Sequence, residues 1–252
     1  MGWGLPRVVL LAVCALSLGN AAQARDWLVV GTQFPRVYER AEDGRIAGLA
    51  PAVLRELAGE LGVGLRFELH PWARAQRMVE LAQADILVGP YRTAEREARF
   101  AFAAEPFYED RIVFYARAGQ AISWQGDYRD LQGQRVAVVR GWTYGSGFEA
   151  ARALLRPVTV EKVEYGLRML ALGRIDLLAS NQRNTQPHLR APELRARVVE
   201  LLPLIDVQRG YFAFPRDSAH AGLRQRFDQA FRRLVERGQL AQLAAPLGVS
   251  VP

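Results

Sequence analysis

The sequence predicts an α/β fold in two halves of similar plan, and three observations predict it. Short apolar strands alternate with helical segments, the pattern that gives parallel pairing through crossover helices. The alternation restarts after residue 110. One segment also echoes another: Arg77-Met-Val-Glu-Leu-Ala-Gln-Ala-Asp85-Ile-Leu-Val-Gly89 parallels Arg168-Met-Leu-Ala-Leu-Gly-Arg-Ile-Asp176-Leu-Leu-Ala-Ser180, with five of thirteen positions identical. Each copy reads as a helix end, a tight turn, an aspartate and a short strand. In open α/β sheets ligands bind outside the carboxyl ends of strands. Gly89 to Arg96 and Ser180 to Asn184 are therefore expected to face a common cleft.

The elements follow in order. Trp27 to Gly31 reads as a buried strand bounded by a glycine. Pro51 to Leu61 has apolar residues at helical spacing, with Pro51 suited to a first turn. Gly64 to Glu68 alternates as a strand, Pro71-Trp72 opens a helix to about Ala82, and Asp85 to Val88 is a short apolar strand. Thr93 to Arg99 forms a helical turn with Thr93 as N-cap. In the second half, Arg111 to Arg117 is strand-like, Gly119 to Gly133 is a polar stretch and Arg135 to Val139 is a strand. A glycine-rich loop, Gly141 to Gly147, leads into a helix running to about Leu155. Val158 to Val160 and Asp176 to Ala179 are strands, with a helix over Tyr165 to Leu172 between them. The end holds a strand over Tyr211 to Phe214 and helices over Ser218 to Arg237 and Leu240 to Leu247.

With 252 residues, 50% hydrophobic and 23% charged, the chain has the composition of a globular protein and not of a disordered, collagen-like or coiled-coil one. Val8 to Leu18 is an uncharged run that follows Arg7 and leads to Ala22-Gln23-Ala24, the layout of a secretory signal over residues 1–24. Its 11 residues fall short of the ~20 needed to span a bilayer, so no membrane span is expected. The only cysteine, Cys14, lies inside this run. The exported chain then has no disulfide and no thiolate or cysteine–metal chemistry. Its arginines are scattered among acids and form no stripe for nucleic acid, so the net charge of +7 amounts to a modest field that attracts anions. His70, His188 and His220 form no metal-binding pair, and no serine elbow is present. No metal and no cofactor is expected.

Several marks are shared with a known family. They are the helix opening at Trp72, the turn before Asp85, the segment Gly89-x-x-x-Thr93-x-x-Arg96, the run Phe102-Ala-Ala-Glu-Pro106-Phe107-Tyr108, and Leu131-x-Gly-x-Arg-Val-Ala-Val-Val-Arg-Gly141. In this order they resemble solute-binding protein family 3, the polar amino acid-binding branch of the periplasmic binding proteins. The resemblance implies the type II two-lobed α/β fold, with two hinge strands and a cleft between lobes. Lobe 1 would comprise residues 25–110 and 209–252, and lobe 2 residues 111–208. It further implies a periplasmic, monomeric receptor that captures a small carboxylate-bearing ligand, an amino acid or a relative of one. Its partner would be an ABC permease or a sensor.

Arginine presents a planar fork of donors matched to a carboxylate. In the resembled family an arginine at the position of Arg96 binds the ligand carboxylate, assisted at the position of Thr93. Gly89 and Tyr91 lie on the approach to Arg96, and Trp72 and Phe34 are expected to supply an aromatic wall. Across the cleft, Arg140, Thr143 and Tyr144 are expected to form the facing half, where free N–H groups at a helix start favour an anion. Relatives usually place acids where this chain has Asn181 and Gln33. Amides bring no charge, so the ligand is either a carboxylate without a standard α-ammonium or an amino acid held differently. The family also includes periplasmic cyclohexadienyl dehydratases. A lyase of that kind needs a placed acid or base, and the expected cleft segments offer only Glu95 and Glu105.

Overall fold

The computed structural model describes residues 25–252 together with Met1. The export signal expected over residues 1–24, Cys14 included, lies outside the described residues but for Met1. Among the described residues eleven strands are present: β1 (Trp27–Gly31), β2 (Glu39–Arg40), β3 (Ile46–Ala47), β4 (Leu65–Leu69), β5 (Ile86–Tyr91), β6 (Ala101–Phe102), β7 (Tyr108–Arg117), β8 (Arg135–Val139), β9 (Arg156–Val160), β10 (Leu177–Asn181) and β11 (Val198–Phe214). The helices are α1 (Leu49–Leu61), α2 (Trp72–Glu80), α3 (Ala94–Arg99), α4 (Ser146–Ala151), α5 (Val163–Ala171), α6 (Gln182–Thr185), α7 (Pro192–Arg195), α8 (Ser218–Glu236) and α9 (Gln239–Ala244).

Nine strands form one sheet in the order β4-β1-β5-β11-β7-β10-β8-β9, with β6 pairing β11 beside this path. The two flanks are parallel, β4-β1-β5 on one side and β10-β8-β9 on the other. Between them β7 and β11 run antiparallel, and each also pairs a flank: β11 with β5, β7 with β10. The chain therefore crosses from one flank to the other along this central ribbon.

The flanks are built alike because the sequence echo is a structural device used twice. The backbone of Asp85 exchanges with Leu28: Asp85 N–H donates to Leu28 O at 2.9 Å, and Leu28 N–H donates to the Asp85 carboxylate at 2.7 Å. Asp176 does the same with Arg135, at 2.9 and 2.8 Å. Each aspartate thus satisfies a backbone donor at the start of the neighbouring strand and fixes where the helix–turn–strand unit docks.

Helix boundaries follow local chemistry. α1 buries Leu49, Ala50, Val53, Leu54, Leu57 and Ala58 on one stripe and ends at Gly62, which takes the left-handed conformation (φ 65°). Thr93 caps α3 by accepting a hydrogen bond from Arg96 N–H at 3.2 Å. α8 buries Leu223, Phe227, Ala230, Phe231 and Leu234, and Phe227 meets Phe212 and Phe214 edge-on. Phe107 stacks on Phe212 with ring centroids 4.1 Å apart.

β2, β3, β6, α6 and α7 are short elements beyond those expected, and two of the expected elements differ clearly in extent. α4 stops at Ala151 rather than near Leu155, because residues 152–155 turn to lead Arg156 into β9. β11 is 17 residues long where only Tyr211 to Phe214 were expected. Its earlier part pairs β7 through a register shift between Leu201 and Asp206, so the stretch carries no clean alternation.

Candidate functional site

The carboxyl ends of β5 and β10 meet at a narrow cleft. Gly89 and Tyr91 come from the end of β5, Arg96 from α3, Phe34 from the loop after β1 and Trp72 from the start of α2. Tyr108 opens β7, Asn181 ends β10, and Trp142 and Thr143 come from the loop after β8.

Arg96 is only 5% exposed. Its Nη1 donates to Tyr91 O at 3.0 Å and its Nη2 to Gly141 O at 2.9 Å. The α3 cap sets this position, since Thr93 grips the Arg96 N–H and starts the helix there. Trp72 Nε1 donates to the same Gly141 carbonyl at 3.2 Å. One carbonyl of the second half thus receives two donors from the first. Gly141 has φ 74°, and a Cβ on it would stand 3.3 Å from the Trp72 ring. Arg96 makes no ion pair with any carboxylate among the described residues, and burial holds its pKa below the ordinary arginine value.

Gly89 is needed as glycine. Its φ is 82°, and an added Cβ would lie 3.0 Å from the Tyr108 hydroxyl and 3.3 Å from the Phe34 ring. The Tyr108 hydroxyl donates to Gly89 O at 2.9 Å. Phe34 and Trp72 pack edge-to-face with centroids 5.5 Å apart. The buried Thr143 Oγ1 has no hydrogen-bond partner among the described residues.

Behind the aromatic wall lies a second buried arginine. Arg183 donates from Nε and Nη2 to the two oxygens of Asp110, at 2.9 and 2.6 Å, and from Nη1 to Pro35 O at 2.8 Å. The Tyr91 hydroxyl donates to Asp110 at 2.7 Å and accepts from Asn181 Nδ2 at 3.2 Å. Burial is the largest influence on the Arg183 pKa and lowers it, but the charge and hydrogen bonds of Asp110 together with the Tyr108 and Tyr91 phenols outweigh it, and the net shift is upward. Burial, reinforced by Asp110, raises the Tyr91 phenol well above its usual value, so it stays a neutral donor.

Arg96, Tyr91, Gly89, Trp72, Phe34, Thr143 and Asn181 are brought together. Thr93 is not a wall residue; it acts one step back as the cap. The expectation for Arg140 and Tyr144 requires correction. Arg140 N–H continues the ladder to Val160 O at 2.9 Å, and the side chain turns outward to Glu161 at 2.7 Å, 66% exposed. The Tyr144 ring is fully buried, and its hydroxyl accepts from Val139 N–H at 2.6 Å. α4 carries Glu149 in its first turn, and Asp206 lies against Gly145, so this helix start does not favour an anion. Gln33 is also outside the cleft: it is exposed and accepts from Arg40 N–H.

Sequence reasoning missed Tyr108, Trp142, Asp110 and Arg183. Tyr108 closes the Phe102–Tyr108 run and could have been found there. The Asp110–Arg183 pair spans 73 positions and leaves no local signal. Among the described residues no group of three or more histidine, aspartate or glutamate side chains could hold a metal ion. No helix of the described residues is long and apolar enough to cross a membrane.

A two-flanked α/β sheet crossed by a central ribbon, with a polar-and-aromatic cleft at the strand ends, defines the class of extracytoplasmic solute-binding proteins. The family model for bacterial extracellular solute-binding proteins, family 3, matches residues 28–246, and the chain belongs to that family. The Probable amino-acid-binding protein YxeM of Bacillus subtilis (strain 168) is 23% identical over 244 residues, covering 94% of this chain and 90% of that protein. The fold matches a histidine kinase sensor domain with similarity to periplasmic binding proteins, with TM-score 0.79 and 24% identity over 92% of this chain and 100% of the other. It also matches an ancestral arginine-binding protein bound to arginine, with TM-score 0.74 and 16% identity over 89% and 99% of the two chains.

Proposed function

We propose that this protein is an exported receptor whose two lobes, residues 25–110 with 209–252 and residues 111–208, close on a small carboxylate-bearing ligand. The ligand is an amino acid or a related acid, its carboxylate is held by Arg96, and the closed complex is read by a permease or a sensor. One observation carries this reading: a guanidinium 5% exposed with no carboxylate partner among the described residues. An isolated buried charge costs several kcal/mol, and two neutral carbonyls offset only part of that. A ligand carboxylate completes the site with charge-assisted hydrogen bonds. The Thr143 hydroxyl, buried and without a partner among the described residues, is a further group for it. The contacts of Arg96 and Trp72 with Gly141 tie the grip to closure, because the arginine that binds ligand also touches the opposite lobe. The crossing points fall inside β7 and β11, the strands suited to bend as a hinge.

Binding rather than turnover is supported by the lining, which contains no aspartate, glutamate or histidine. Glu95 is exposed on α3, and Glu105 pairs with Arg232. The test is a thermal-shift and calorimetric screen of amino acids, dicarboxylates, opines and aromatic acids. A ligand at 100 times its Kd stabilises by about 2.7 kcal/mol, roughly 5–10 °C in Tm for a chain of this size. Binding that persists unchanged in Arg96→Ala refutes the assignment.

A further inference from the structure

We infer that the ligand of this cleft is a small acid with a flat apolar body and no ammonium group. The inference rests on the reading of Arg96 as the carboxylate site and adds the chemistry of the rest of the ligand.

It follows from an inventory of acceptors. A desolvated ammonium has three donors and needs oxygens, at least one of them charged. Asn181 has no charge to offer. Its Oδ1 accepts from Asn184 N–H at 2.8 Å, while its Nδ2 donates to the Tyr91 hydroxyl. The cap fixes which end of the amide is oxygen, so the group cannot flip to present an acceptor. Both oxygens of Asp110 are engaged by Arg183 and Tyr91, behind the wall. The nearby carbonyls are neutral and each already holds a side-chain donor: Gly89 O from Tyr108, Tyr91 O from Arg96, Gly141 O from Arg96 and Trp72. The oxygens left to accept are neutral, the second lone pairs of these carbonyls and the hydroxyls of Tyr108 and Thr143, and none carries the charge that a desolvated ammonium needs.

The ring faces do not replace these oxygens. A cation over an aromatic face is an alternative home for an ammonium, but the faces here already carry guanidinium groups. Arg96 lies 5.8 Å from the Trp72 ring centroid, and Arg183 lies 5.9 and 5.1 Å from those of Phe34 and Tyr108. A second cation would be placed beside these charges. The lining thus contributes one uncompensated positive charge, complementary to a monoanion rather than to a zwitterion.

Shape supplies the apolar body. Phe34, Trp72, Tyr108 and Trp142 line a narrow slot, so most of its wall is aromatic. A single ring or short flat chain bearing one carboxylate matches such a lining.

The test uses acids in matched pairs on the wild-type protein: phenylacetate against phenylglycine, and 3-phenylpropionate against phenylalanine, by calorimetry at low salt. Leaving a buried charge unpaired weakens binding from about 30-fold to a few thousandfold. The des-amino member of each pair is therefore expected to bind tighter by at least about 30-fold, and Arg96→Ala to abolish its binding. If the amino acids bind as well as their des-amino partners or better, and lose affinity in Arg96→Ala, the inference is overturned while the carboxylate site stands. Equal binding of both sets that survives Arg96→Ala, or binding of neither set, overturns the carboxylate site and the inference with it.

Discussion

Arg96 and Arg183 are buried to the same degree, 5% and 6% exposed, and both lie against rings of the same cleft wall. They differ in their partners. Arg183 meets Asp110 through a bidentate pair and one further carbonyl; Arg96 meets only carbonyls. The opposite directions of their pKa shifts express the same contrast: burial lowers Arg96, and at Arg183 the neighbouring carboxylate, joined by the Tyr108 and Tyr91 phenols, overcomes burial. A buried arginine with its carboxylate in place is a structural joint between the first loop, the ribbon and the second half. One without a carboxylate holds its charge for something that arrives from outside.

The contrast is broken most forcefully from the structural side. Asp110→Ala leaves Arg183 buried and unpaired and removes the acceptor of Tyr91. Losing one member of a buried pair costs about 3–5 kcal/mol, roughly 6–20 °C in Tm for a domain of this size. Urea melts at pH 7 check this. Replacing both partners with apolar residues of similar volume is expected to be milder than the single change, because no charge is then left behind.

At Arg96 the expected outcome is inverted. Arg96→Ala removes a charge without a carboxylate partner, so the fold is expected to lose little. Binding of a carboxylate is expected to fall by about 2–5 kcal/mol, the cost of truncating one partner of a buried pair. Comparable losses of stability and affinity would erase the distinction between the two arginines. Asn181→Asp probes the same wall with a smaller effect. Its carboxylate oxygen still caps α6 through Asn184, but it adds a negative charge to the cleft. Affinity for a des-amino acid is expected to drop by about tenfold or more, and the matching amino acid to gain. Paired calorimetric titrations read both shifts.

Much of this was legible in sequence where the chemistry is local. The spacing of Thr93 and Arg96 announces a capped turn, and the cap is what aims the guanidinium. The echo around Asp85 and Asp176 is legible because both aspartates do one job, holding the N–H of a neighbouring strand. Where a residue's role is fixed by a distant partner, the sequence gives no sign of it. Asp110 and Arg183 sit in no local motif, and only the ribbon brings them together. β11 is disguised because Leu202-Pro203-Leu204-Ile205 falls in its register shift and breaks alternation. Arg140 misleads for a geometric reason: the β8–β9 ladder extends one residue past the strand and turns the side chain to the outer edge, and only then does Gly141 bend the chain inward.

The two echoed aspartates allow a comparison of the two flanks by pH. Asp176 accepts from the Arg135 side chain and from its N–H, and the side-chain bonds first of all hold its pKa below the ordinary 3.8. A depressed folded-state pKa means a contribution fully present above the unfolded value and lost as pH falls through the folded one. Stability attributed to this contact is therefore expected to be full at about pH 5 and above and to be lost progressively as pH falls below the unfolded value. Asp176→Asn is expected to flatten the acid limb of the urea-stability profile below about pH 4 while leaving ligand affinity unchanged. A profile identical to wild type would show that the second-flank aspartate acts through its backbone bonds alone.

A third arginine completes the series as its reference point. Arg140 is exposed and paired with Glu161, itself 61% exposed, across the β8–β9 edge. Surface pairs of this kind contribute little, because water screens the charges and two long side chains must be ordered to meet. Arg140→Ala is expected to change stability by less than about 0.5 kcal/mol and carboxylate affinity by less than about twofold, which at tenfold per 1.4 kcal/mol is a few tenths. The measurement matters because an anion site on the loop after β8 would require this arginine to swing inward on closure. A loss of affinity approaching that of Arg96→Ala would place the facing half of the grip at Arg140 and would mean that the outward contact with Glu161 gives way when ligand binds.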